Sequence, residues 1–129
     1  MSAAKHILVV DDDATIRELI ELALTDEGYE IIAARNGAEA LAVVGAAPVD
    51  LILLDIRMPI MDGWTFARTY RDLPGPHAPI IVLTASRALP GAAADVAVAA
   101  FLAKPFEIAP LLAAVAHALT SHGPGTASS

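Results

Sequence analysis

The sequence predicts an α/β domain in which a parallel β-sheet is covered by helices on both faces. Apolar runs of strand length recur along the chain. Most of them are continuous rather than alternating, as expected for strands buried on both faces. Segments with helical patterning separate them, so the order strand–helix repeats five times. This alternation is typical of a doubly wound sheet with right-handed crossovers.

The first two strand–helix units are predicted from residue 7 onward. The strands cover residues 7–10 and 31–34, both short and aliphatic. The first helix has one apolar face, since its apolar residues repeat at helical spacing; these are Ile16, Leu19, Ile20, Ala23 and Leu24. Gly28 stands where a glycine commonly ends a helix. The second helix covers residues 37–47 and ends before Pro48.

The third unit and the fourth strand lie in the middle of the chain. Strands are predicted over residues 51–54 and 80–83, and a helix over residues 64–72. That helix ends at residues 73–76, Leu-Pro-Gly-Pro, which is a strong breaker of helices.

The last elements follow a less regular segment. Residues 87–100 should carry the fourth helix, but Pro90 and Gly91 interrupt it. The fifth strand is predicted over residues 101–103. The final helix covers residues 108–119, with a proline tolerated in its first turn.

Composition limits the classes of function. We expect one domain over residues 1–121 and a disordered tail, rich in Gly, Ser and Pro, over residues 122–129. The net charge of −7 opposes direct binding to nucleic acid. The absence of cysteine excludes disulfides and cysteine-based zinc sites. No signal peptide or membrane-spanning run is recognised, so a cytoplasmic location and no membrane partner are expected.

Polar residues follow four of the predicted strands. They are Asp11, Asp12 and Asp13 after the first, Asp55 after the third, Thr84 and Ser86 after the fourth, and Lys104 after the fifth. Ligands bind beyond the carboxyl ends of the strands in such sheets, so these side chains should converge. Taken singly, Asp13 is predicted to cap a helix, Asp55 could be a turn residue and Lys104 a solvated lysine. The joint placement favours a functional site.

The chemistry of this set suits phosphoryl transfer. Clustered carboxylates repel one another and require a cation. Oxygen ligands without His or Cys favour Mg²⁺, Mn²⁺ or Ca²⁺ over zinc. An aspartate can act as the nucleophile, and a lysine and a hydroxyl can stabilise the phosphoryl oxygens. The residues therefore predict a magnesium-dependent reaction at this edge of the sheet.

Four segments resemble the signatures of response-regulator receiver domains. They are Ile-Leu-Val-Val-Asp-Asp-Asp at 7–13, Leu-Ile-Leu-Leu-Asp-Ile-Arg-Met-Pro-Ile-Met-Asp-Gly at 51–63, Ile-Val-Leu-Thr-Ala at 81–85 and Phe-Leu-Ala-Lys-Pro-Phe at 101–106. Asn-Gly-Ala-Glu-Ala-Leu at 36–41 matches a common start of the family's second helix. The resemblance covers about residues 5–120. It implies a flavodoxin-like, five-stranded sheet of strand order 2-1-3-4-5.

The resemblance also implies a role for each site residue. Asp55 would accept a phosphoryl group from a histidine kinase or a histidine phosphotransfer protein. Asp11, Asp12, Asp55 and the Arg57 carbonyl would hold Mg²⁺, while Thr84 and Lys104 would contact the phosphoryl group. Thr84 and Phe101 would form a switch, although plain core packing is the alternative for Phe101. Arg57 and Ser86 would tune hydrolysis, and Pro105 would follow a cis peptide bond from Lys104.

The implied protein is a single-domain response regulator rather than an enzyme that turns over an external substrate. It would signal by phosphorylation-dependent binding to another protein. Two features depart from the family. The interval from Thr84 to Lys104 is slightly short, and residues 97–100 replace the usual Gly-Ala-Asp turn.

Three other interpretations are weaker. A haloacid-dehalogenase-type phosphatase needs a second Asp two residues after its nucleophile, where this chain has Arg57. A module that shares the function of flavodoxin, or one that binds nucleotides, lacks support. The sequence contains neither G-x-G-x-x-G nor G-x-x-x-x-G-K-[ST], the two glycine-rich motifs that bind phosphate. A phosphate-independent docking module of the receiver type would not need the acids that this chain retains.

Overall fold

The protein is described here by a computed structural model, which covers residues 4–56, 61–75, 77–84, 100–103 and 107–121. In chain order the elements are β1 (His6–Val10), α1 (Ala14–Asp26), β2 (Glu30–Ala34), α2 (Gly37–Ala46), β3 (Leu51–Asp55), α3 (Gly63–Asp72), β4 (Ile80–Thr84), β5 (Ala100–Ala103) and α4 (Ile108–Ser121). The expected helix over residues 87–100 and the expected tail over residues 122–129 fall largely or wholly outside these residues. None of the described helices is both long and apolar enough to cross a bilayer.

The strands form one parallel sheet in the order β2-β1-β3-β4-β5. The predicted α/β class, the flavodoxin-like topology and the strand order 2-1-3-4-5 are confirmed. Every strand is one residue longer than predicted. Asp55 and Thr84 end β3 and β4 instead of following them, because Asp55 pairs with Leu83 and Thr84 with Ala103 in the backbone ladder.

Side chains that alternate along each strand build two separate cores. Leu8 and Val10 of β1 lie in a cluster with residues of α2 and α3. Ile7 and Val9 lie in a second cluster with residues of α1 and α4. All four are fully buried, and each such side chain stabilises the fold by roughly 1.5–3 kcal/mol. Both faces of the sheet are therefore covered, which explains the continuous apolar strands of the sequence.

Helix α1 begins and ends where the sequence predicts. The Asp13 carboxylate accepts hydrogen bonds from the backbone N–H groups of Thr15 and Ile16, at 2.9 and 3.2 Å, which confirms it as the N-cap. At the other end Gly28 has a φ of 95° and donates its N–H to the carbonyl of Thr25. This left-handed conformation favours glycine and ends the helix.

One residue that was predicted to lie on the apolar face of α1, Leu19, is exposed instead. Ile20 and Leu24 are buried, but Leu19 is 47% exposed. Leu19 precedes Ile20 by one residue, which is about 100° of rotation around a helix. The stripe that meets the sheet is centred on Ile20, so Leu19 falls at its edge.

Candidate metal centre

The acids that follow β1 meet the acid that ends β3. Strands β1 and β3 are neighbours, and Val10 is in register with Leu54. The next residue of each strand end, Asp11 and Asp55, therefore reaches the same edge of the sheet. With Asp12 they form a cluster in which one carboxylate oxygen of each residue lies within 4.8 Å of the others.

Two of the three acids are buried and the third is exposed to solvent. Asp11 is fully buried and Asp55 is 5% exposed, whereas Asp12 is exposed. Like charges brought together out of water are costly unless a cation compensates them. The donor set is entirely carboxylate oxygen, which suits a small hard cation that retains water ligands, such as Mg²⁺. The three acids thus fit a divalent ion approached from the Asp12 side.

The loop that carries Asp11 and Asp12 is fixed at several points. The Asp11 N–H donates to the carbonyl of Ala34 in β2, at 3.1 Å. Its side-chain Oδ1 accepts the N–H of Asp13 at 2.9 Å, and its carbonyl accepts a hydrogen bond from Arg17 Nη1 at 2.7 Å. These contacts hold the acidic loop between β2 and the start of α1.

The start of α3 packs directly against the end of β3. Gly63 donates its N–H to the carbonyl of Ile56 at 2.9 Å. A Cβ atom on Gly63 would lie 2.6 Å from the Asp55 carbonyl oxygen and 2.8 Å from the Ile56 Cα. Real Cβ atoms do not approach backbone so closely, so this position requires glycine. Asp62 caps the helix by accepting the Thr65 N–H at 2.8 Å.

The start of α2 forms the neighbouring part of the same edge. Asn36 caps this helix by accepting the N–H of Glu39 at 2.9 Å. Arg35 Nη2 donates to Glu39 Oε2 at 2.7 Å. The side-chain hydrogen bond from Arg35 is the main reason why the pKa of the Glu39 carboxyl is lowered. A Cβ on Gly37 would lie 2.8 Å from Met61 Cγ, so the loops after β2 and β3 are in close contact.

The remaining predicted site residues are described only in part. For Thr84 and Phe101 the backbone is placed, with Thr84 paired to Ala103 and Phe101 paired to Val82. The other four predicted residues lie outside the described part of the chain; they are Arg57, Ser86, Lys104 and Pro105. The roles of all six stay predictions.

The sequence did not identify the roles of two residues at this edge, Gly63 and Arg17. The pair Asp62-Gly63 is typical of a turn, yet Gly63 is the first residue of α3 and is needed for close packing. Arg17 lies near the start of α1, where the helix dipole disfavours a positive charge. That unfavourable position is a signal in the sequence that the arginine has a partner.

A separate cavity of about 450 Å³ lies at the opposite edge of the sheet. Its lining includes Lys5, Asp50 and Pro79, which immediately precede β1, β3 and β4, together with Tyr70 and His77. The Tyr70 hydroxyl accepts the N–H of Ala78 at 2.7 Å, and burial raises the pKa of Tyr70. The acidic cluster lies beyond the other ends of these strands, so the cavity is not part of the candidate metal centre.

Comparison with known proteins gives a consistent match. The response regulator receiver domain family matches residues 7–116. The transcriptional regulatory protein GlrR of Escherichia coli K12 is 41% identical over 124 residues, which are 94% of this chain and 28% of GlrR. Response regulator MprA of Mycolicibacterium vanbaalenii is 38% identical over 84% of this chain and 47% of its own length. The chain thus spans half or less of these two relatives.

Solved structures of similar length share the fold. The chemotaxis response regulator CheY4 of Vibrio cholerae superposes with a TM-score of 0.82 and 31% identity, covering 90% of this chain and 99% of that one. A signal receiver domain of a histidine kinase from Syntrophus aciditrophicus gives a TM-score of 0.86 at 30% identity and covers 94% of both chains.

Proposed function

Because the chain belongs to the response regulator receiver family, we propose that it accepts a phosphoryl group on Asp55 in a magnesium-dependent reaction. The donor would be a sensor histidine kinase or a histidine phosphotransfer protein. The chain would act as a phosphoacceptor that catalyses its own phosphorylation and dephosphorylation, not as an enzyme with turnover on an external substrate. Its phosphorylated form would signal by binding another protein.

One observation carries the proposal. Asp55 is nearly buried at the end of β3, and one of its carboxylate oxygens lies within 4.8 Å of oxygens from Asp11 and Asp12. Mg²⁺ bound by these acids would supply positive charge for the oxygens of an incoming phosphoryl group. A nucleophilic carboxylate beside two other acids is the arrangement that this reaction needs.

The proposed transfer is a substitution at phosphorus. A carboxylate oxygen of Asp55 forms the new bond to phosphorus, while the bond from phosphorus to the donor's imidazole nitrogen breaks. The imidazole leaves with the electron pair of that bond and takes up a proton from solvent water. Asp11 and Asp12 would hold the cation, and the burial of Asp11 and Asp55 would limit the access of water to the nucleophile.

The family resemblance supports further roles for residues whose side chains lie outside the described structure. Thr84 and Lys104 would hold the phosphoryl oxygens of the modified Asp55. Arg57 would contribute its backbone carbonyl to the metal, and with Ser86 would set the hydrolysis rate. Inward movement of Thr84 would let Phe101 turn, which would alter the surface around β4 and β5 for a partner.

We further propose that the domain acts in the cytoplasm. The lack of cysteine suits a reducing compartment and supports this location. The acidic net charge of −7 supports a protein partner over direct contact with nucleic acid.

The direct test is incubation with acetyl phosphate and Mg²⁺, read by intact mass spectrometry. We expect a gain of one phosphoryl group, and none when a chelator removes the metal. A chain that stays unmodified under both conditions would contradict the proposal and would favour a docking module that acts without phosphate.

Replacing Asp12 tests the metal assignment. Asp12→Ala should weaken Mg²⁺ binding more than tenfold, since even groups outside the ligand shell commonly contribute about 10–100-fold to metal affinity. Calorimetric titration measures this change. Without Mg²⁺ the free energy of unfolding, measured with urea, should hold or rise because repulsion within the cluster is relieved.

The control is Asp26→Ala, which removes the same charge from the far end of α1. It should leave Mg²⁺ affinity within about twofold of wild type, since an exposed charge at that distance is screened by salt. Wild-type affinity in Asp12→Ala would rule out Asp12 as a metal ligand.

A further inference from the structure

Arg17 makes a contact that links helix α1 to the acidic loop. Its Nη1 donates to the backbone carbonyl oxygen of Asp11 at 2.7 Å, and the interaction is partly buried. Arg17 is the fourth residue of α1, at the end of the helix where the dipole disfavours a cation. The contact with Asp11 offsets this unfavourable placement and gives the arginine a defined position.

The oxygen that Arg17 holds belongs to the peptide group between Asp11 and Asp12. A peptide group is planar, so fixing its oxygen restricts the backbone on both sides. The carboxylates of Asp11 and Asp12 project from the two Cα atoms of that plane. Ala34 and Asp13 fix the other polar groups of Asp11, through its N–H and its side chain. Among these three contacts, only the one from Arg17 fixes the plane shared by both acids.

We propose that Arg17 is a positioning residue for the metal site, which orients Asp11 and Asp12 through their shared peptide group. The proposal rests on the proposed function in one respect: Asp11 and Asp12 must hold Mg²⁺. Arg17 itself touches neither the metal nor the phosphoryl group in this role. It acts by keeping the acidic loop in the conformation that binds.

The positive charge of Arg17 would by itself weaken Mg²⁺ binding, whereas the positioning of Asp11 and Asp12 would strengthen it. Glu39 has a lowered pKa mainly because of its hydrogen bonds with Arg35, and the positive charge of Arg17 contributes to the same shift. Arg17 is thus a cation whose field reaches this edge of the sheet. A cation near a metal site repels Mg²⁺, so its removal would tighten binding if charge were its main influence. Positioning predicts weaker binding, and the sign of the change therefore decides between them.

The experiment measures the Kd of Mg²⁺ by calorimetric titration of the full chain. Arg17→Met keeps the apolar stem and removes the guanidinium. We expect about tenfold weaker binding, the lower end of what groups outside the ligand shell contribute. Arg17→Lys should recover part of the loss, since an ammonium can donate to the same carbonyl. Arg68→Met, an equal change of charge at an exposed site of α3, should stay within about twofold of wild type.

A second readout needs no metal. In Arg17→Met, the exchange rate of the Asp13 N–H, which is bonded to Asp11 Oδ1, should rise about tenfold relative to that in Arg68→Met if the loop loses its anchor. Wild-type or tighter Mg²⁺ binding in Arg17→Met would overturn the proposal. Equal losses in Arg17→Met and Arg17→Lys would do the same.

Asp12→Ala, measured in parallel, distinguishes failure of the metal assignment from failure of the proposed role of Arg17. Intact Mg²⁺ binding in Asp12→Ala would mean that the metal assignment itself has failed. Loss of binding in Asp12→Ala together with wild-type binding in Arg17→Met would leave the metal site standing and remove only the role of Arg17.

Discussion

Asp55→Asn is expected to abolish formation of the acyl phosphate. The substitution keeps the shape of the side chain but replaces the nucleophilic carboxylate with an amide, which cannot form the acyl phosphate. Asp55 is 5% exposed, so its near-isosteric replacement should not disturb the surrounding core. Intact mass after treatment with acetyl phosphate and Mg²⁺ should show no gain of a phosphoryl group.

The matched control is Asp62→Asn, which makes the same chemical change close by in the chain. Asp62 is exposed and caps α3 by accepting the Thr65 N–H. Asparagine caps helices as well as aspartate does, so stability should be retained. Asp62→Asn should gain the phosphoryl group at the wild-type rate within about twofold, because an exposed charge has little effect at ordinary ionic strength.

Peptide mapping shows which residue carries any label that remains. A phosphoryl group on the same peptide in Asp55→Asn would mean that Asp55 is not the acceptor. Label that moves to the segment of Thr84 and Ser86 would indicate a hydroxyl acceptor instead. Both results would leave the fold assignment untouched, since the strand order does not depend on the acceptor.

The meeting of the three acids could be predicted from sequence because it follows from topology alone. Once β1 and β3 are parallel strands of one sheet, Asp11, Asp12 and Asp55 must reach the same edge. The aliphatic runs predict the strands, and the alternation with helices predicts that they are parallel. The family resemblance added the strand order, which places β1 directly beside β3.

The contacts that fix the acids could not be predicted in the same way. The hydrogen bond from Arg17 to the Asp11 carbonyl depends on the direction of a long side chain, which helical periodicity does not determine. The exposure of Leu19 depends on which stripe of α1 meets the sheet, and the apolar pattern is too broad to choose it. Both are set by how α1 packs on the sheet.

The packing of Gly63 shows the same limit at the other side of the site. A glycine after an aspartate predicts a turn, because glycine is common where φ is positive. The structure instead uses the missing Cβ to bring α3 against the backbone of Asp55 and Ile56. Such a close approach depends on the distance between two elements, which no local pattern in the sequence encodes.

Gly63→Ala should therefore lower both stability and metal affinity. The new Cβ would lie 2.6 Å from the Asp55 carbonyl oxygen and 2.8 Å from the Ile56 Cα, and neither backbone atom can rotate away. Overpacking of this kind costs about 1–3 kcal/mol. The helical preference of alanine over glycine returns at most about 1 kcal/mol. Urea unfolding should give a lower midpoint with an unchanged slope.

The expected loss of Mg²⁺ affinity in Gly63→Ala follows from the position of the clash, which lies between α3 and the end of β3. To relieve the clash, α3 must move outward or the end of β3 must shift, and a shift of β3 moves Asp55 relative to Asp11 and Asp12. We expect Mg²⁺ to bind Gly63→Ala several-fold more weakly, up to about the tenfold that misplaced supporting groups commonly cause. Calorimetric titration below the unfolding transition separates this change from the loss of stability.

Gly45→Ala is the matched control, because Gly45 lies in α2 with no atom within 4 Å of a Cβ placed there. This substitution should raise the free energy of unfolding by up to about 1 kcal/mol, as alanine favours a helix over glycine. It should leave Mg²⁺ affinity unchanged. If Gly63→Ala behaved like Gly45→Ala in both measurements, the start of α3 would be free to move without displacing β3. Gly63 would then not hold Asp55 in place.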